Sequence, residues 1–111
     1  MPAALYNLTI EQGADYSKSI VIRNADGSLR DLTGQSFRMQ IREHYHSPTV
    51  LAQASLNVAL ANSRATFSLT AEQTSALDVK RAVYDLEMFN SSGNVLRLLK
   101  GSVDIEYEVT R

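Results

Sequence analysis

Three adjacent residues, His44, Tyr45 and His46 in "HYHSP", carry the most concentrated chemical potential in the chain. On an extended backbone both imidazoles would point to one side, a spacing that can offer two nitrogen ligands to one metal ion. With only these two histidines and no cysteine, a monomer would have to complete the shell with carboxylates such as Glu43. A threefold oligomer would instead gather three such pairs around its axis. Pro48 disfavours a continuous ladder here, so the segment reads first as an exposed loop. Tyr45 makes it a possible ligand loop, since its ring could stack on a sugar. No metal or cofactor is assigned.

Paired carboxylates are the second candidate chemistry. Asp85 with Glu87, and Asp104 with Glu106 and Glu108, share strand faces at i, i+2 spacing. Glycosidases use two carboxylates at a set separation, but one must be desolvated to raise its pKa. Regular alternation makes these acids solvated strand faces that can pair with Arg38 and Arg42. Neither a G-x-S-x-G elbow nor a phosphate-cradling Gly-rich loop occurs, and the sequence is read as non-enzymatic. Arg23, Arg38 and Arg42 could form a small basic stripe. The nearby aromatics Tyr16 and Phe37, however, fall in register with apolar residues, so nucleic acid is not an expected partner.

The elements that must position these residues are short strands. In "GSVDIEYEVTR", Val103, Ile105, Tyr107 and Val109 alternate with Asp104, Glu106 and Glu108, the period of a half-buried strand. "AVYDLEMF" repeats the pattern with Tyr84, Leu86 and Met88 inward, and "NSSGN" after it predicts a hairpin connection. Val95 to Leu99 begins the return, with a bulge or bend expected at Gly101. Ala4, Tyr6, Leu8 and Ile10 alternate before "EQGAD", and a strand from Tyr16 through Ile20 and Ile22 runs to "NADGS", whose Asp-Gly pair predicts a tight turn. "SFRMQIR" places Phe37, Met39 and Ile41 on one face and Arg38, Gln40 and Arg42 on the other. "TVLAQASLNVAL" is compatible with strand or short helix, and Ala65, Phe67 and Leu69 alternate in "ATFSLT".

The single helix signal is "TAEQTSAL". Thr70 is placed as N-cap, Gln73 completes a capping box, and Glu72 suits the positive end of the helix dipole. About two turns to Leu77 need tertiary packing to persist, which predicts a plug at one end of a sandwich. The fold class expected is all-β: one domain over residues 1–111, an antiparallel β-sandwich of immunoglobulin-like size with seven to eight strands and one short helix.

At 111 residues the chain can bury one hydrophobic core without staples, and the absence of cysteine leaves stability to packing. No apolar run approaches the ~20 residues of a membrane span, and no basic region precedes an apolar one at the N-terminus. No membrane is expected as a partner, and synthesis is expected in the cytoplasm. A net charge of -1 supplies no global field for polyanions. Basic residues nevertheless dominate from Tyr16 to Arg42 and acidic ones from Ala82 to Glu108, so the halves are complementary. "MPAALYNLTI" and "YEVTR" are strand-like almost to the ends, and either could be an edge that pairs between subunits.

Taken together, "YNLTIEQGADYSKSIVIRNADGSLRDLTG", "SFRMQIRE", "SLTAEQTSAL" and "YDLEMFNSSGNVLRLLKGSVDIEYEVTR" resemble a family of small tailed-bacteriophage virion proteins. The family is encoded in phage tail modules, and the pattern is similar to the N-terminal sandwich of baseplate upper proteins. The resemblance covers nearly the whole chain. It implies a structural subunit of the virion, in the tail or baseplate or near fibre attachment, acting by protein–protein assembly with other virion structural proteins and as a homo-oligomer. It carries no catalytic residues. Capsid decoration, a neck position, or a glycan-binding module using the 44–48 loop are the alternatives. On the leading reading Arg38 and Arg42 face acids at an interface, either Asp85 and Glu87 in the same sheet or the Asp104, Glu106 and Glu108 face of a neighbouring copy.

Overall fold

The computed structural model describes residues 4–109. It is an all-β sandwich whose strands are β1 (Ala4–Leu5), β2 (Leu8–Glu11), β3 (Tyr16–Val21), β4 (Ser36–Arg42), β5 (Val50–Gln53), β6 (Ser55–Ala59), β7 (Arg64–Leu69), β8 (Arg81–Phe89) and β9 (Val95–Glu106), with one short helix α1 (Ala71–Ser75). One sheet runs in the order β1-β9-β8-β4-β5, with β2 following β1 along the same side of β9, and the other in the order β3-β7-β6. β1 and β2 are one pass broken at Tyr6 and Asn7, and β5 and β6 are one pass broken at Ala54. Counted by passes there are seven.

Period-2 patterning explains the core. Met39 and Ile41 of β4, Tyr84 and Leu86 of β8, Val103 and Ile105 of β9 and Leu8 and Ile10 of β2 are buried against Phe67 and Leu69 of β7. Each such side chain contributes about 1.5–3 kcal/mol through removal from water. Phe67 sits between Tyr16 and Tyr84, with ring centroids 6.4 and 6.5 Å away. Leu77, just past the helix, is fully buried and closes this core at one end.

The turns follow their residue types. Gly27 in "NADGS" has φ +88° and Gly93 in "NSSGN" has φ +87°, as the two tight connections require. The "TVLAQASLNVAL" segment resolves into strands. Ala54 N–H still donates to the Met39 carbonyl at 3.0 Å, after which the chain crosses to β7 in the other sheet. A short 3-10 turn at Leu60–Asn62 follows, ended by Ser63 in the left-handed region. The helix is shorter than the segment to Leu77, but its capping box is present in full: Gln73 N–H donates to Thr70 Oγ1 and Thr70 N–H to Gln73 Oε1.

Three expectations are corrected. The bulge in β9 lies at Leu98, between the pairs Leu86↔Leu99 and Glu87↔Arg97, while Gly101 pairs regularly with Tyr84. Gly101 is instead a close-approach glycine, because a Cβ there would collide with the Tyr6 carbonyl and the Asn7 side chain. The C-terminal strand is no edge over its second half, Leu99 to Glu106. β9 lies between β8 and the first pass, and both β1 and β2 pair with it in parallel, Ala4↔Leu99 to Leu5↔Lys100 and Leu8↔Val103 to Glu11↔Glu106, while the remaining ladders are antiparallel. Finally, Tyr107 and Val109 are 53% and 93% exposed rather than inward, because β9 ends at Glu106. The expected N-terminal strand begins within Met1–Ala3, which lie outside the described residues, as do Thr110 and Arg111.

Candidate functional site

The outward face of β4, β8 and β9 gathers most of the charged residues singled out in the sequence. Antiparallel register sets Arg38 opposite Glu87 and Gln40 opposite Asp85. Arg38 Nη2 lies 2.9 Å from Glu87 Oε1, and its guanidinium stacks 5.0 Å from the Phe89 ring centroid. From the other side Arg97 reaches across the bulge, with Nε 3.1 Å from Asp85 Oδ2 and Nη2 3.8 Å from Glu87 Oε2. Leu98 shifts the register by one residue, so Arg97 is opposite Glu87 while Lys100 is opposite Asp85.

Among the described residues Arg42, unlike Arg38, makes no ion pair with Asp85 or Glu87 of its own sheet. Its Nη1 donates to the Ser47 carbonyl at 2.8 Å and its Nη2 to Gln40 Oε1 at 3.0 Å, while Gln40 Nε2 donates to Gln53 Oε1. Arg42 therefore anchors the loop after β4 to the sheet. Asp104 is engaged locally too, its Oδ1 2.9 Å from Arg81 Nε. Glu106 and Glu108 form no ion pair among the described residues. Glu108 instead folds against Gly13, with its N–H donating to Gln12 Oε1.

Asp85 and Glu87 are less solvated than their alternation implied. Burial pushes the Asp85 carboxyl above the ordinary carboxylate range, with neighbouring Glu87 adding to the effect, and Arg97 and Arg38 oppose it. Both side chains are largely covered, Glu87 being 18% and Asp85 32% exposed beneath the arginines that pair with them.

The 43–49 loop turns rather than extends, closed by Ser47 N–H donating to the His44 carbonyl at 3.0 Å. Alternation therefore does not hold, and His44 and His46 do not form the paired presentation that an extended segment would give. Among the described residues no group of three or more His, Cys, Asp or Glu side chains is placed to hold a metal ion. Tyr45, 59% exposed, stands at the rim of a groove of about 390 Å³ lined with Arg38, Gln40, Arg42, Asp85 and Glu87.

Sequence reasoning missed Arg97 and a second feature entirely. Arg97 was recoverable by counting outward from "NSSGN", which pairs Phe89 with Val95 and hence Glu87 with Arg97. The second feature is an apolar cleft of about 400 Å³ where the two sheets part, lined by Ile20 and Ile22 on one side and by Ala4, Leu96, Leu98 and Leu99 on the other. On the side of β9 away from β8, Val95–Leu98 have no strand partner among the described residues, and neither has the outer side of β3. The cleft thus runs between two open sheet edges. Lys18 points inward on β3, its ammonium 4.9 Å from the Tyr6 ring centroid, and so guards part of that edge against indiscriminate pairing.

No protein-family model matches the sequence, and no curated protein matches it.

Proposed function

We propose that this chain is a non-enzymatic structural subunit that acts by protein–protein assembly, as a tail, baseplate or fibre-attachment adaptor of a tailed-bacteriophage virion. The virion placement rests on the resemblance of its segments to phage tail-module proteins, with capsid decoration and the neck as alternative positions. Assembly rests on one structural observation: the apolar cleft opens between two unpaired edges at the basic side of an elongated molecule, 44 Å long and 29 by 23 Å across.

Charge distribution favours a second copy as the occupant. Register places Glu11 and Glu106 together, the Asp15 carboxylate accepts from the helix N-terminus near Glu72, and Glu108 lies against Gly13. These acids form one end of the sandwich. Arg23, Arg30 and Arg64 gather at the other, around the Ser63 turn, while the carboxylates of Asp26 and Asp31 are engaged by turn N–H groups. The acidic end also exposes Tyr107 and Val109, apolar side chains that suit the cleft. Contact between unlike ends is heterologous, the type that builds rings or stacks.

Light scattering on the purified chain across a concentration series, at low and high salt, tests this reading. A discrete oligomer that weakens with salt is the expected result. A single-chain mass throughout, together with no association with co-expressed tail-module proteins, would overturn it.

A further inference from the structure

The geometry points to a saccharide-binding site in the groove between the 43–49 loop and the outward face of β4 and β8, one that takes a neutral hexose unit of a glycan. This goes beyond assembly and does not depend on it, since the groove lies on a sheet face rather than on the cleft or either end of the sandwich.

Three observations carry it. First, the volume of about 390 Å³ falls within the range of small-ligand pockets, although the lining is polar where drug-like pockets are apolar. A polar groove of that size suits a ligand made of hydroxyls. Second, the polar groups are held in place before any ligand arrives. Arg42 is fixed by Ser47 and Gln40, Gln40 by Gln53, Asp85 by Arg97, and Glu87 by Arg38. The second carboxylate oxygen of Asp85 and the Nε of Arg42 have no hydrogen-bond partner among the described residues. One accepts and the other donates, the pairing that adjacent sugar hydroxyls satisfy. Preorganisation removes much of the ordering cost of binding.

Third, Tyr45 supplies an exposed aromatic ring at the rim of an otherwise polar groove. A hexose ring has an apolar C–H face and a hydroxyl edge, so it can cover Tyr45 with one and meet Asp85 and Arg42 with the other. Charge bears on the class: within the groove's own lining Arg38 and Arg42 are matched in number by Asp85 and Glu87, with Arg97 outside that lining, so the walls present no cluster of uncompensated cations for an acidic sugar or a phosphate.

A glycan array bearing neutral and acidic oligosaccharides identifies hits, each then titrated as the free oligosaccharide into ¹⁵N-labelled protein. The expected result is saturable binding of a neutral glycan, with amide shifts centred on Gln40, Arg42, Tyr45, Ser47 and Asp85. Tyr45→Ala and Asp85→Asn should each weaken it about tenfold or more, through loss of stacking or of an acceptor. Tyr107→Ala, an exposed tyrosine at the acidic end, should leave it unchanged. Absence of saturable binding to any glycan overturns the proposal, as does binding indifferent to Tyr45→Ala. Binding confined to acidic glycans overturns the assignment of class. Because Tyr107→Ala bears on end-to-end association and Tyr45→Ala does not, failure here is separable from failure of the assembly reading.

Discussion

The Tyr84 hydroxyl donates to the Tyr6 carbonyl oxygen at 2.6 Å, tying the centre of β8 to the break between β1 and β2. Gly101 lies beside this bond, opposite Tyr84 in register and under the Tyr6 backbone. The first pass of the chain is therefore held to the last by a phenol from a third strand. Tyr84→Phe removes the donor and leaves the ring, so a stability loss of about 1 kcal/mol is expected from urea unfolding.

The same phenol sets an alkaline limit. Burial pushes the Tyr84 pKa well above the ordinary tyrosine value, so the fold favours the protonated form. The stabilisation is fully present below the unfolded-state pKa of about 10 and is lost as pH rises beyond it. The thermal midpoint should fall on the alkaline side of that value, and Tyr84→Phe should fall less steeply. Tyr16, raised in the same direction by burial, accounts for the slope that remains.

Gly101→Ala is expected to be worse than Tyr84→Phe. Its Cβ meets backbone at Tyr6, which cannot swing aside as a flexible side chain could. Overpacking of this kind costs about 1–3 kcal/mol, and the strain should appear locally as faster hydrogen exchange across β1 and β2.

Thr70→Ala deletes one half of the capping box and leaves a helix N–H without its acceptor. A loss of about 1 kcal/mol is expected. Because α1 is only one to two turns long and precedes the buried Leu77, the loss should show in global unfolding rather than as local fraying.

Charge exchange tests the end-to-end contact directly. Arg23→Glu with Arg30→Glu should weaken self-association, and so should Glu106→Lys with Glu108→Lys. Mixing the two variants should restore association of one reversed basic end with one reversed acidic end, read as a mixed dimer by native mass spectrometry. Arg38→Ala, in contrast, should leave association unchanged and cost less than about 1 kcal/mol of stability, because its pair with Glu87 is intramolecular and half exposed.

Much of the sandwich is legible from the chain because its signals are local. Strand periodicity in Arg81–Phe89, the glycines at 27 and 93 and the Thr70–Gln73 capping box each depend on residues a few positions apart. Even the bulge leaves a mark, since Leu98 and Leu99 are consecutive apolar residues where strict alternation would allow one. A glycine two residues later is a stronger conventional signal for irregularity than the doublet.

The candidate sites were legible only in part. The sequence alone determined which residues are polar, that Arg38, Arg42, Asp85 and Glu87 share outward faces, and that Tyr45 sits in a loop. Tertiary structure decided which of them meet. Arg42 turns to Ser47 because the loop after β4 folds back over it, Arg97 reaches Asp85 because Leu98 shifts the register, and Gly101 stays bare because Tyr6 crosses it. These outcomes depend on pairings between residues tens of positions apart, whose geometry is set by closure of the two sheets over a common core. Local pattern specifies a strand's faces, but only the packed partner specifies what each face touches.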